Sequence, residues 1–170
     1  NIRNIKKAGF KSSDIKLATG FKEHLIKKET KNLYTCIKNK KFKSTNMIFS
    51  LNEVIKKYGI DTYYVFYSDI IFDLKSINYL KKSKKKISTL VDSNWLSKWK
   101  LKINYLNDLE DLRILNGKII SLGKKVKKIK NIDGRFVGIT KFSKEIIAKL
   151  IKENFFKKNL KENKKLDFTN

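Results

Sequence analysis

The sequence of 170 residues contains no proline, one cysteine, one histidine and only seven glycines. No stretch of Pro, Gly or Ser marks a linker, so the chain reads as one domain over 1–170. A single thiol, Cys36, excludes an internal disulfide framework. Cys36 and His24 by themselves make neither a zinc site nor a Cys–His dyad, and both read as structural. No apolar run approaches the length of a membrane span. The opening "NIRNIKKAGF" has no signal-like apolar stretch, so a cytoplasmic protein without membrane insertion is expected. Acidic residues are scarce too: 16 against 41 Lys and Arg, for a net charge of +25. Arginine is almost missing, with only Arg3, Arg113 and Arg135. Readers of base edges lean on the arginine fork. Lysines spread along the chain read better as solvated faces than as a nucleic-acid surface, and AT-rich coding DNA yields the same Lys, Ile and Asn bias. A lysine-rich nucleic-acid-binding module without catalysis is the competing expectation; otherwise no specific nucleic-acid partner is expected.

What is present alternates between strand and helix. Ile2, Ile5 and Ala8 keep helical spacing before Gly9. "DIKLATG" is a short strand, "FKEHLIKK" a brief helix using Phe21 and Leu25, and "LYTCIKN" a second strand. "STNMIFSLNEVIKKYG" is the clearest helix, capped by Ser44 or Thr45, with Met47, Ile48, Leu51, Val54, Ile55 and Tyr58 on one stripe and Gly59 at its end. "TYYVFYSDIIF" is apolar nearly throughout, as strands buried on both faces are. A helix is expected over "DLKSINYLKKSKKK", strands over "ISTLVDSNW", "GKIISLGKKV" and "GRFVGITKF", and a last helix over "SKEIIAKLIKENFF" capped by Ser143. Such alternation implies an α/β fold, a mostly parallel sheet with helices on both faces. Ligands of such sheets bind at the carboxyl ends of strands, where Gly20, Asp69 and Asp92 fall.

Asp69 stands out because an acid closes the most apolar run of a basic chain. It either caps the helix that begins near Asp73 or holds a hard cation such as Mg²⁺ at the mouth of the sheet.

Several stretches in order, "AGFKSSDIKLATGFKEHL", "NKKFKSTNMIFSL", "YYVFYSDIIFD", "VDSNWLSKW", "NDLEDL", "GKIISLGKKV", "GRFVGITKFS" and "KKLDFTN", resemble the nucleotidyltransferases of the sugar-nucleotide pyrophosphorylase superfamily. They are most similar to its CTP-dependent branch, which acts on phosphocholine, 2-aminoethylphosphonate and related head groups. The resemblance implies a Rossmann-like mixed sheet. It also implies a piece incomplete at both ends, or a relative without catalysis. The family's Gly-rich phosphate loop with its Pro-Lys pair has no counterpart here, nor has its final Trp-x-Glu-x-Asp-like segment.

By the same resemblance Asp69 is the catalytic, Mg²⁺-binding acid. Gly20, Thr45, Asn46, Ser50, Tyr67 and Ser68 bind the nucleotide. Asp92, Trp95, Asp108, Glu110, Gly138 and Lys141 lie on the acceptor side, with Lys102 where the family has arginine. The Trp95 indole would offer a face to an ammonium group, unless Trp95 and Trp99, four apart, form one apolar helix face. The implied reaction moves a cytidylyl group from CTP to a small phosphorylated head group and releases pyrophosphate. A sugar-1-phosphate acceptor is the alternative within the class. Homo-oligomerisation is left open.

Overall fold

A computed structural model describes residues 1–101, 109–126, 128–165 and 168. A sheet of three strands lies at its centre: β3 (Tyr63–Phe66), β7 (Arg135–Phe142) and β4 (Ile87–Asp92), in that order. β7 is antiparallel to both neighbours, so β3 and β4 run the same way. β1 (Lys16–Thr19) and β2 (Thr35–Lys38) form a parallel pair, with Leu17 opposite Cys36. β5 (Glu110–Leu115) and β6 (Lys118–Lys125) form a hairpin whose turn residues, Asn116 and Gly117, both have positive φ.

Strand β3 shows how the sheet organises the core. Its side chains alternate between faces, as the period of two requires. Tyr64 and Phe66 pack with Ile5 of α1 (Ile2–Lys7) and Ala8 just after it, and with Ile77 and Leu80 of α4 (Leu74–Lys82). Tyr63 and Val65 pack with Ile48, Leu51 and Ile55 of α3 (Met47–Tyr58), and with Ile147 of α6 (Lys144–Lys152) and Phe156 and Leu160 of α7 (Phe155–Glu162). Helices therefore cover both faces of the sheet. Leu17 of β1 shares the first of these cores, although no strand pairing joins β1 to β3 among the described residues.

The long apolar run differs from expectation in one respect that shapes the site. Pairing stops at Phe66, and 67–73 is an irregular segment between β3 and α4. Gly138 makes this break possible. Its φ is +73°, and the Tyr67 ring fills the space where a Cβ would stand. The Tyr67 N–H donates to the Gly138 carbonyl at 2.9 Å, the last backbone tie before the segment leaves the sheet. Asp73 then starts α4 by accepting from the Ser76 N–H at 2.9 Å. Those two hydrogen bonds from Ser76, backbone first and hydroxyl second, hold the Asp73 carboxyl below its ordinary range.

Other elements follow the expected pattern with shifted ends. The α3 stripe is buried at Ile48, Leu51, Val54 and Ile55, but Tyr58 is exposed. Helix α2 (Glu23–Glu29) buries no residue, and Phe21 and Leu25 face solvent. Ser143 caps α6 as expected, and Asn154 at φ +53° separates α6 from α7. The hairpin partner strand β5 was not assigned from the sequence, although Leu112 and Ile114 alternate with Asp111 and Arg113. Asp111 is buried within it, where it accepts from the Ser121 hydroxyl and, at 2.8 Å, from the Lys124 N–H.

Candidate functional site: an acidic, aromatic groove at the ends of β3 and β4

A groove of about 900 Å³ opens at the carboxyl ends of β3 and β4. Tyr67, Asp69, Asp92 and Gly138, four of the residues singled out from the sequence, line it together. Asp73, Ser76 and Tyr79 of the α4 side add to its wall, as do Phe136 of β7 and Asn4 of α1. Three carboxylates thus face one groove, and no Lys or Arg is among the described residues lining it. In a chain of net charge +25 this is an acidic opening in a basic surface.

The three carboxylates differ in their partners. Asp73 is committed to its helix cap. Asp92 accepts from the Asn94 N–H at 3.0 Å and pairs with Lys98 at 2.7 Å, at the groove's rim. Asp69 is exposed and has neither a hydrogen bond nor an ion pair among the described residues. The cap at α4 belongs to Asp73, so capping does not account for Asp69.

Aromatic rings form part of the wall. Tyr67 meets Phe136 edge-on, with centroids 5.8 Å apart and planes at 81°. Phe168 lies beside Tyr67 at 6.1 Å and beside Phe142 at 5.6 Å. The Asn46 side chain donates to the Lys165 carbonyl at 2.9 Å.

Other residues expected in the site have different work. Trp95 is 3% exposed and packs with Leu109 and Ile132, flanked by Leu96, Trp99, Val126 and Ile129. Its indole has no open face for a cation, and the expected acceptor role is corrected to a core role. Trp99 carries the guanidinium of Arg135 over its ring at 4.3 Å. Lys141 sits at the other end of β7, opposite Tyr64 and Ser88, where it is buried and donates to the Ser83 carbonyl. It braces α4 against the sheet and does not reach the groove. A Cβ on Gly20 would stand 2.5 Å from the Phe42 Cβ, so the space kept clear there is filled by Phe42.

Thr45 and Ser50 are tied together by Asn39, a buried residue that the sequence reading passed over. Asn39 Nδ2 donates to Thr45 Oγ1 at 2.9 Å and to Ser50 Oγ at 3.1 Å, while its Oδ1 accepts from the Lys41 N–H at 2.9 Å. These groups shape the turn into α3 rather than an open ligand surface. Asn46 begins α3 without a capping bond from its side chain. Ser68 is exposed and gives its carbonyl to Asn1. Glu110 lines a small neighbouring cavity with Arg135 and Phe136. Lys102 and Asp108 lie outside the described residues.

Tyr79 and Asp73 were within reach of sequence reasoning. Asp73, Ser76 and Tyr79 recur every three residues, which puts them on one face of α4. Asn4 and Phe136 gave no such signal, because they reach the groove from elements distant in sequence.

No His, Cys, Asp or Glu trio among the described residues converges as a ready-made metal centre. Mg²⁺ does not need one. It is held by one or two carboxylates with substrate phosphates completing its shell, and a free Asp69 suits that use.

No family model matches the chain. A curated relative, the CTP:phosphoglutamine cytidylyltransferase of Campylobacter jejuni, is 27% identical over 164 residues, covering 88% of this chain. This chain spans 62% of that protein's length. Among solved structures, a Bacillus anthracis protein described as a glucose-1-phosphate thymidylyltransferase superposes with a TM-score of 0.62 at 18% identity. The match covers 89% of this chain and 60% of the other. The inositol-1-phosphate CTP transferase of T. maritima gives 0.53 at 13% identity, covering 76% of this chain and 51% of that one. The chain has the Rossmann-like α/β fold of these nucleotidyltransferases.

Proposed function

We propose that the protein is a nucleotidyltransferase that moves a cytidylyl group from CTP to a small phosphorylated acceptor bearing an ammonium group. Asp69, which has no partner among the described residues and lies in a groove whose described lining includes no Lys or Arg, carries this reading. A carboxylate left free in so basic a chain is set for a cation brought from outside. The carboxyl ends of β3 and β4 are where an α/β sheet receives a ligand. The cytidylyltransferase relative favours CTP, and its acceptor, phosphoglutamine, is a phosphorylated amino acid. Phosphocholine and aminoalkylphosphonates share the pairing of a cationic nitrogen with an anionic phosphorus group.

The chemistry asks little of acid–base groups. An acceptor phosphate or phosphonate oxygen, already ionised near neutral pH, attacks the α-phosphorus of CTP. The new P–O bond forms as the bond to the β-phosphate oxygen breaks, and pyrophosphate departs with the electron pair. Bringing two anions together is the main obstacle, so positioning and charge neutralisation dominate. Bound Mg²⁺ would neutralise the triphosphate. Asp69 would hold it, and the nucleotide would lie on the α3 side of Asp69. Asp92 and the rings of Tyr67, Phe136 and Tyr79 would draw the acceptor's ammonium group. Glu110 and Gly138 border that side.

The structural neighbours keep a sugar-1-phosphate acceptor in play, since one is named for glucose-1-phosphate. Pyrophosphate release from CTP, UTP and dTTP, each with phosphocholine, 2-aminoethylphosphonate, phosphoglutamine or glucose-1-phosphate and Mg²⁺, separates the two. Turnover with CTP and an amine-bearing acceptor is expected. Preference for glucose-1-phosphate, or no turnover with any pair, would reject the proposal.

A further inference from the structure

The segment that carries Asp69 is held from a distance. Between the Tyr67 N–H on Gly138 and the Asp73 cap, the chain leaves the sheet and exposes its backbone. Two asparagines, Asn1 at the cap of α1 and Asn4 within it, reach it. Asn1 Nδ2 donates to the Ile70 carbonyl, with Ser68 O 3.4 Å away, and Asn4 Nδ2 donates to the Phe72 carbonyl at 2.7 Å. The partners are 67 to 69 residues apart in sequence. Helix α1 is itself fixed, because Ile5 and Ala8 are buried in the same core as Phe72 and Ile77. Phe72 stacks on Phe66 with centroids 5.2 Å apart and anchors the far end of the segment.

We infer that Asn4, with Asn1, is a positioning residue for Asp69: helix α1 sets the geometry of the carboxylate by holding the carbonyls on both sides of it. This rests on the reading that Asp69 binds a divalent cation. The physical reason is entropic. A carboxylate on a free loop must be ordered each time it takes an ion, whereas one on a tethered loop is ordered beforehand. Asn4 is the better placed of the two, being part-buried, on the wall of the groove and bonded to the carbonyl of a buried residue. Nothing in its local sequence marks it, since "NIRNIKK" reads only as a helix.

The test uses Mn²⁺ as a paramagnetic probe in an amide NMR titration of the whole chain. Amides of 68–73 should broaden first in the wild type. Asp69→Asn should abolish that broadening. Asn4→Ala should leave the spectrum of the core intact, speed amide exchange within 68–73, and raise the Mn²⁺ midpoint by roughly fivefold, the loss of one neutral hydrogen bond. Asn4→Gln, which keeps the amide, should recover part of the shift, and it serves as the second variant should Asn4→Ala not fold. If Asp69→Asn removes the broadening but neither Asn4 variant moves the midpoint, the inference fails and the metal reading stands. If Asp69→Asn changes nothing, the metal reading fails and the inference with it.

Discussion

Replacing Gly138 by alanine tests how the site is built. Gly138 combines a backbone at φ +73° with a neighbour in the way: a Cβ there would lie 2.6 Å from Cγ, 2.7 Å from Cδ2 and 3.0 Å from Cβ of Tyr67. The left-handed conformation alone costs a residue with a Cβ about 1–2 kcal/mol. To regain ordinary contact the Tyr67 ring would have to retreat by about 1 Å, and overpacking of that kind costs about 1–3 kcal/mol. It has little room, with Phe136 on its edge and Phe168 beside it. Gly138→Ala is therefore expected to lose about 2–5 kcal/mol, the sum of these two effects. Gly117→Ala is the control. Its φ is +69°, and nothing lies within 4 Å of its Cβ position, so only the backbone cost applies. Urea midpoints at constant slope give both values. Equal losses within about 0.5 kcal/mol would refute the claim that Gly138 exists to seat Tyr67.

Further outcomes follow from the same contacts. Trp95→Ala should destabilise the fold by about 3–5 kcal/mol, as removal of a buried tryptophan does; an unchanged melting curve with weakened acceptor binding would return Trp95 to the site. Asn39→Ala should cost about 1–3 kcal/mol by leaving the Thr45–Ser50 turn unpaired, and amide exchange should rise there before it rises elsewhere. Stability should also fall in acid. Hydrogen bonds hold the carboxyls of Asp73, Asp133 and Glu145 below their ordinary values: the Ser76 N–H for Asp73, the Ile114 N–H and then Arg113 for Asp133, the Ser143 hydroxyl for Glu145. A depressed folded-state value means that the unfolded chain takes up protons first. Their contribution is complete above the ordinary carboxylate values of about 4 and is lost as pH falls through the lower folded-state values. Denaturation midpoints that stay level from pH 6 down to about pH 3 would contradict this assignment.

The alternation of strand and helix was legible because periodicity is local: α3, α4 and β4 carry their own apolar patterns and end signals. Asp69 was legible for a related reason, since an acid at the end of an apolar run is conspicuous in a lysine-rich chain. The end of β3 was not, because the apolar residues Ile70, Ile71 and Phe72 prolong the pattern after strand pairing has stopped. Only the Gly138–Tyr67 fit, made across 71 residues of sequence, sets that boundary. Trp95 misled for a similar reason. A tryptophan four residues from another fits a binding face or a core face equally well, and Leu109 and Ile132, which decide the matter, lie outside its helix. Lys141 resembled a ligand-side cation in sequence, but the antiparallel run of β7 carries it to the end of the sheet away from Asp69.

The central claim is that Asp69 carries the chemistry without supporting the fold. Asp69→Asn keeps the side chain's size and removes its charge, and no hydrogen bond or ion pair among the described residues is lost with it. The decisive measurement is Mg²⁺-dependent pyrophosphate release from CTP by this variant and the parent protein, each with its melting curve. A fall on the order of a hundredfold or more, with melting unchanged, is the predicted result. Equal turnover by the two proteins would contradict the account.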